Sequence, residues 1–565
     1  MLSSIGASIV GLPAELLYHI FGFLEDRYIL TLGKTCRVLN QYAIPVFLRR
    51  KGTHDAEQDP VVVQPYHNSH DDELTGLILH FTMAKMKHLT CKLDRRPDWE
   101  IEEDFRLVAL SRSPMEGLTQ NLRRLLQLVG RLDEVGSLHL HFYSLGAAWV
   151  LSSDDLQEFL ATLLQLINLA ISKSCSDILL SHPHPLTDLR PPYKFQLISG
   201  GNMVLQDFVR RSLSIMRQNS NGENDCGLQG DGWRFQQMFK YKCKGIVTPP
   251  PRVIQLSKLT TLDMSSDFLL LPPFSSWTFN ILKHAPITRL SLTILRIISS
   301  EELHHYVLPQ ILGRVPQLTE LRIGFHREEL YSIFLDYITC LPQLQKLTFA
   351  WATYGHLPPR KPSPLITLSH LTSFTGSPYQ AAYFFGGPIS CPSIRYINIV
   401  ADRHRGRLRC VDLADQFAII NQGVCNMDPA PIISLCVAYV FLHGSSTAPL
   451  LPDHDTRHLA TISRLTLTLP YSSDNQQWSQ VVDYVFECLE IFSNLSALTL
   501  ISRSCFEQQD ALIGMIKGDY PNIVTLNIIG RRDYLNHCHW SNMRVEPGFL
   551  TPNVLESSDC VCSHF

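Results

Sequence analysis

At 565 residues the chain is several times an ordinary domain and must either divide or grow by stacking repeats, while 45% apolar and 18% charged content excludes wholesale disorder. The 49 basic and 52 acidic residues leave a formal net charge of -3 with no long like-charge block, which argues against a nucleic-acid track or a polybasic membrane patch. The 15 Cys lack the regular spacing of a secreted disulfide scaffold, so reduced thiols, and with them cytoplasm or nucleus, are expected. Residues 1–24 lack a basic leader and are broken by Pro13 and Glu15, and no later stretch reaches the roughly 18 apolar residues of a membrane span.

In chain order, the first expected element is a helix opened by Pro13, with Leu16, Leu17, Ile20, Phe21 and Leu24 at three-to-four spacing and Glu15 at the positive end of its dipole. A second helix from about Tyr28 carries Leu30, Leu32, Cys36 and Leu39, and Pro45 marks a further break before Val46, Phe47 and Leu48. Three helices within residues 1–50 cannot bury that much apolar surface among themselves, so part of it is expected to face a partner.

These residues resemble an F-box over roughly 11–50: the Leu12-Pro13-x-Glu15 opening, Ile20 and Leu24, the Ile29-Leu30 pair, then Cys36-Arg37, with Leu39 where many members carry Trp. The resemblance implies docking on a Skp-type adaptor, through it a cullin-RING ubiquitin ligase, and contacts from Leu12, Pro13, Glu15, Leu16, Ile20, Phe21, Leu24, Leu32, Cys36 and Leu39.

Residues 51–72 are polar and read as a linker. From residue 73 to 545 a phrase recurs in which an apolar residue is followed three and five positions later by others, the alternation of a half-buried strand. Leu74-Leu77-Leu79 and Val135-Leu138-Leu140 begin it. Ten further phrases start at Leu259, Ile287, Leu318, Leu344, Leu371, Ile394, Ile432, Ile462, Leu495 and Ile523, 23 to 38 residues apart. That period accommodates a strand, a return and a helix, a unit that buries its face only by stacking. Helices are expected at 119–132, 153–171, 299–312, 328–340, 477–492 and 507–517, and Pro316, Pro342, Pro392 and Pro521 each precede a phrase by two residues. Residues 217–233 read as a Gly-rich exposed insertion, 248–252 and 357–364 as proline loops, and 546–565 as a tail.

The pattern resembles the degenerate leucine-rich repeats found behind F-boxes, with the closing Asn mostly missing, and the expected fold class is an α/β solenoid with a parallel concave sheet. Positions between the apolar ones should face the concave side, which makes Arg289, Glu320, Arg322, Lys346, Tyr396 and Arg464 candidate target contacts. No dinucleotide, phosphate-loop, nucleophile-elbow or zinc-helix motif occurs, so no catalytic residue and no cofactor is expected. His537, Cys538 and His539 with Cys560, Cys562 and His564 have poor zinc spacing, and Cys562 heads a formal prenylation box whose next residues are not aliphatic. The function expected is a substrate adaptor. A protein-binding repeat scaffold without ligase, its helices only a cap, is the alternative.

Overall fold

In the computed structural model the described residues are 9–65, 72–93, 114–142, 153–181, 193–197, 233–237, 254–265, 267–270, 274–294, 298, 300–325, 329–350, 366–401, 410–425, 427–438, 456–469, 476–501 and 509–529. They fall into two compact units, Met1–Val315 and Pro316–Phe565.

The first unit opens with three helices, α1 (Ala14–Phe23), α2 (Asp26–Thr35) and α3 (Arg37–Arg50). There follow β1 (Pro60–Val63), α4 (Glu73–Leu79), β2 (Lys85–Leu93), α5 (Pro114–Arg131), β3 (Glu134–Phe142), α6 (Ser153–Ser172) and β4 (Asp177–Ser181). After an antiparallel pair, β5 (Tyr193–Leu197) and β6 (Trp233–Gln237), come β7 (Thr261–Ser265), α7 (Phe274–His284) and β8 (Arg289–Ile294). Strands β1, β2, β3, β4, β7 and β8 are parallel neighbours in that order.

The second unit runs β9 (Glu320–Phe325), α8 (Glu329–Tyr337), β10 (Lys346–Phe349), β11 (Ile366–Thr367), β12 (Ser373–Gly376), α9 (Pro378–Phe385), β13 (Ile389–Ser390) and β14 (Tyr396–Ala401). It continues through α10 (Cys410–Val424), β15 (Ile432–Ala438), β16 (Ile462–Thr468), α11 (Gln476–Ile491), β17 (Ala497–Ile501), α12 (Gln509–Asp519) and β18 (Thr525–Ile529). Eight of these strands form its parallel sheet in chain order, while β11 and β13 pair separately.

All ten phrases of the chain's second half are strands, and the reason is side-chain alternation. Leu262 and Met264, Leu290 and Leu292, Leu321 and Ile323, and Leu465 and Leu467 are buried while the residues between them face away. In register, Leu321 lies beside Leu347, Leu347 beside Phe374 and Phe374 beside Ile397, so each unit's apolar row closes on the next. An aromatic spine stiffens this core: the Phe349 and Phe374 ring centroids are 5.7 Å apart, and Phe374 and Phe384 4.9 Å.

The starts of β7, β8, β10, β12, β14 and β18 are clamped in one way. A turn closes ahead of the strand, as where the Leu344 amide donates to the Leu341 carbonyl and the Ile394 amide to Cys391. Two successive amides then donate to one carbonyl of the preceding unit: Gln345 and Lys346 to Thr319, Thr372 and Ser373 to Gln345, Arg395 and Tyr396 to Thr372. Hydroxyls reinforce the ladder, with Ser176 donating to the Gly136 carbonyl, Thr260 to Ser176, Thr372 to Gln345 and Ser496 to Ser463. Backbone groups that burial would otherwise orphan are thereby paired.

Several expectations are corrected. Residues 51–72 are not all linker, because Pro60 pairs with His88 and the three valines of β1 with Leu89 to Cys91, so the sheet begins at Pro60. Leu74-Leu77-Leu79 is helical: the Asp72 side chain accepts from the Thr75 amide at α4's start, and a three-residue apolar spacing suits a short helix as well as a strand. Pro45 does not break α3. Its lost amide costs about 3 kcal/mol, offset by burial of Ala43, Ile44, Phe47 and Leu48 on either side. The inward residues of β15 are Ile433 and Leu435, two positions earlier than the phrase Ile432-Leu435-Val437 implies. Of the expected insertion at 217–233 only Trp233 is described, opening β6; the proline loops at 248–252 and 357–364 and the tail at 546–565 with Cys562 lie outside the described residues.

Candidate functional site

Helix α1 carries two apolar stripes. Leu17 and Phe21 turn inward with Ile29, Leu30, Leu39, Ala43, Ile44 and Phe47, all buried. Leu16, Ile20 and Phe23 share the other face, since offsets of four and seven return to one side of a helix. Leu16 is 49% exposed and Phe23 78%, and Val38 on α3 is exposed too. Of the residues that the F-box likeness singles out, Pro13, Glu15, Leu16 and Cys36 are exposed and Leu12, Ile20, Leu24 and Leu32 half-buried, whereas Phe21 and Leu39 belong to the module's own core. Phe23 escaped the sequence reading, although its place seven residues after Leu16 was the signal for it. Burying a side chain of this kind is worth about 1.5–3 kcal/mol, so the outward stripe is a strong candidate contact.

Arg50 holds the module shut. Its guanidinium donates to the carbonyls of Phe21 (2.8 Å), Gly22 (2.6 Å) and Leu24 (2.6 Å), the orphan acceptors where α1 ends. It also donates to Asp26 (3.2 Å), which Lys51 contacts at 3.0 Å. Burial pushes the Asp26 carboxyl up, but the hydrogen bonds and attraction of Lys51 and Arg50 outweigh it and hold the group below its usual value. A carboxyl depressed on folding stabilises above its unfolded pKa, about 4, and that contribution is lost as pH falls through the folded value. Asp26→Asn is therefore expected to destabilise the chain at pH 7 and to cost progressively less as pH falls below about 4, which denaturation across a pH series would read.

The module is welded to the first repeat. Asn40, buried, donates to the carbonyls of both Gly33 and Leu79 at 2.9 Å. Gly76 of α4 lies so near α3 that a Cβ would stand 2.7 Å from the Phe47 ring, so only glycine permits the approach.

The other surface is the polar face of the sheet. In the first unit it carries Arg289, exposed, and a histidine group the sequence reading did not single out: His88 Nδ1 lies 2.8 Å from Ser137 Oγ, His141 Nδ1 2.5 Å from Ser181 Oγ, and His139 Nε2 3.5 Å from Asp177. Asp177 thus faces a different histidine from those the serines contact, which is not the relay that activates a serine. In the second unit Glu320 and Lys346 form an ion pair at 2.9 Å, with Arg322, Tyr396 and Arg464 half-buried on the same face. Among the described residues no group of three His, Cys, Asp or Glu is placed to hold a metal, and the terminal cluster at 537–564 lies outside them. Burial pushes the Cys175 and Cys391 thiols up to about 12, so these two stay protonated near neutrality. No helix among the described residues is long and apolar enough to cross a membrane.

Parallel strands in chain order, several of them clamped alike at their starts and joined largely through helices, define an α/β architecture of leucine-rich-repeat type. No family model matches the chain, and no curated protein does. Among solved structures it is similar to the leucine-rich repeat-containing protein LegL7 from Legionella pneumophila, 14% identical over 82% of this chain and 98% of that one, with a TM-score of 0.33.

Proposed function

We propose that the chain is an F-box substrate-recognition adaptor, its N-terminal helices docking on a Skp-type subunit of a cullin-RING ubiquitin ligase and its sheet faces holding a target protein. The observation that carries this reading is the outward stripe of Leu16, Ile20 and Phe23, apolar surface that the module itself leaves uncovered. Leu12, Pro13, Glu15, Leu24, Leu32 and Cys36 are accessible beside it, and Phe21 and Leu39 support it from within. Arg289, Glu320, Arg322, Lys346, Tyr396 and Arg464 are the proposed target contacts. The chain would do no covalent chemistry itself and needs no cofactor. It would raise the target's effective concentration at the conjugating enzyme, in cytoplasm or nucleus.

Co-purification of a Skp-type adaptor and cullin with the full chain tests this. Leu16→Ala with Phe23→Ala removes carbon that is about half exposed or more, so folding should change by less than about 1 kcal/mol per site, while capture should fall at least about 30-fold if each is an interface anchor. The second reading, a protein-binding scaffold without ligase, is favoured by the weld at Asn40 and Gly76, which makes the helices a cap for the first repeat. Folded wild-type chain that captures neither subunit, where a known F-box protein does, establishes that reading instead.

A further inference from the structure

The five strands β14 to β18 contain one charged residue, Arg464, and no carboxylate. An irregularity sets its place on the polar face. Ile433 pairs with Ile462 but Ser434 pairs with Arg464, so Ser463 is an extra residue. Without that bulge Arg464 would stand beside the buried Leu435; with it, Leu465 enters the core and Arg464 lies between Ser434 and Ala497. Two positions along the same strand, Thr466 lies beside Thr499. The side chains of Ser434, Arg464, Thr466 and Thr499 make no hydrogen bond or ion pair among the described residues, although the first three are half-buried and Thr499 is 8% exposed. Polar side chains shielded in this way are ordinarily paired within the protein, so four together without a partner mark a place where a ligand's acceptor atoms belong.

We infer that these four side chains seat a single carboxylate, the Asp or Glu side chain of a target-protein segment, on the Arg464 guanidinium. The inference rests on the target-holding role proposed above for this face. A guanidinium is a planar fork that donates two parallel hydrogen bonds to a carboxylate, and the three hydroxyls supply donors for its remaining lone pairs. The four positions fit one such group. Two strand-to-strand steps of about 4.8 Å and two residues of about 3.3 Å each place them in a patch of about 10 Å by 7 Å, within the sweep of one arginine side chain. Ser434 and Ala497, the neighbours of Arg464 on either side, are small and leave the fork unobstructed. Charge decides between oxyanions. One guanidinium balances one carboxylate, whereas a phosphoryl group carrying about -1.5 to -2 would bring negative charge that nothing on these five strands offsets. The absence of any carboxylate from the same strands means that an arriving acid meets no repulsion there.

The test uses the full chain and fluorescent pools of short peptides, degenerate in neutral residues and carrying at the centre Glu, Gln or phosphoserine. Affinities come from anisotropy at low salt, where such a contact is least screened. The Glu pool should bind at least about tenfold more tightly than the Gln pool, and the phosphoserine pool no more tightly than the Glu pool. Arg464→Gln should erase the preference for Glu, Arg464→Lys should restore part of it by returning the charge without the fork, and Thr499→Val should reduce it while keeping the shape. Glu and Gln pools that bind alike, or not at all, overturn the inference, as does a preference that survives Arg464→Gln in a chain whose thermal unfolding is unchanged. Tighter binding of phosphoserine overturns the choice of a carboxylate, and free glutarate that binds as tightly as the Glu pool overturns the choice of a protein segment. Adaptor capture measured on the same variants separates the two readings. If the preference is absent but capture persists, the seat fails and the adaptor stands; if capture is absent while the preference holds, the seat stands on a scaffold.

Discussion

Asp72→Ala is expected to lower the unfolding free energy of the chain's first unit by about 3–5 kcal/mol, one of the two largest losses foreseen for a single substitution. Its side chain is 1% exposed and serves three partners. Its Oδ1 accepts from the Thr75 amide at 2.9 Å and the Thr75 hydroxyl at 3.0 Å, capping α4. Both carboxylate oxygens accept from Arg124, at 2.8 and 2.5 Å, which ties α4 to α5. Removing the carboxylate deletes a cap worth about 1 kcal/mol and leaves a largely buried guanidinium with only the neutral acceptors of Asn121 and Thr75, the costlier effect. Asp72→Asn keeps the cap's acceptor and loses the charge, so its loss should be intermediate. Denaturant unfolding followed by circular dichroism measures both, and a loss under about 1 kcal/mol for the alanine variant would show that α4 is held by apolar packing alone.

The second large effect is expected at Trp277, wholly buried on α7, whose indole nitrogen donates to Asn168 of α6 at 2.8 Å. Trp277→Ala should cost about 3–5 kcal/mol through the cavity and lost transfer energy. Trp277→Phe keeps much of the volume and loses the hydrogen bond, worth about 1 kcal/mol, plus a smaller void. If the two variants unfold at the same denaturant concentration, ring volume is not what this site supplies, and the packing account of α6 against α7 falls.

Most of the fold could be read before any coordinates because it depends on one local rule. Where a strand is buried on one face, a slip of one residue would turn Leu321 and Ile323 to solvent, so the three-and-five spacing survives in most repeats of the second half, β15 apart. What could not be read depends on particular partners. Pro60–Val63 is too short to show a period, and Leu74 with Leu77 fits either period. The exposed side of α1 was half legible: Leu16 and Ile20 stood out with the motif, whereas Phe23, between Ile20 and Leu24, is not one of its positions. Arg50, Asn40 and Asp72 act over 26 to 52 residues of chain, and no local pattern announces such long-range hydrogen bonds. The place of Arg464 was anticipated from alternation, but its position beside Ser434 depends on one extra residue at Ser463 that periodicity treats as noise.

The clamp at six strand starts uses one carbonyl, two amides and, at some repeats, a hydroxyl, and all of these atoms sit on a strand's first residue or the one just before it. The molecule therefore behaves like a text whose meaning sits in its punctuation. Return segments can lengthen, shed a helix or accept foreign sequence while neighbouring strands keep their pairing, and the stretch between Ser181 and Thr261, whose flanking strands pair directly, shows how much chain one such interval already holds. Drift in those intervals is the cheapest way for a chain of this kind to acquire new surface while its sheet stays unchanged.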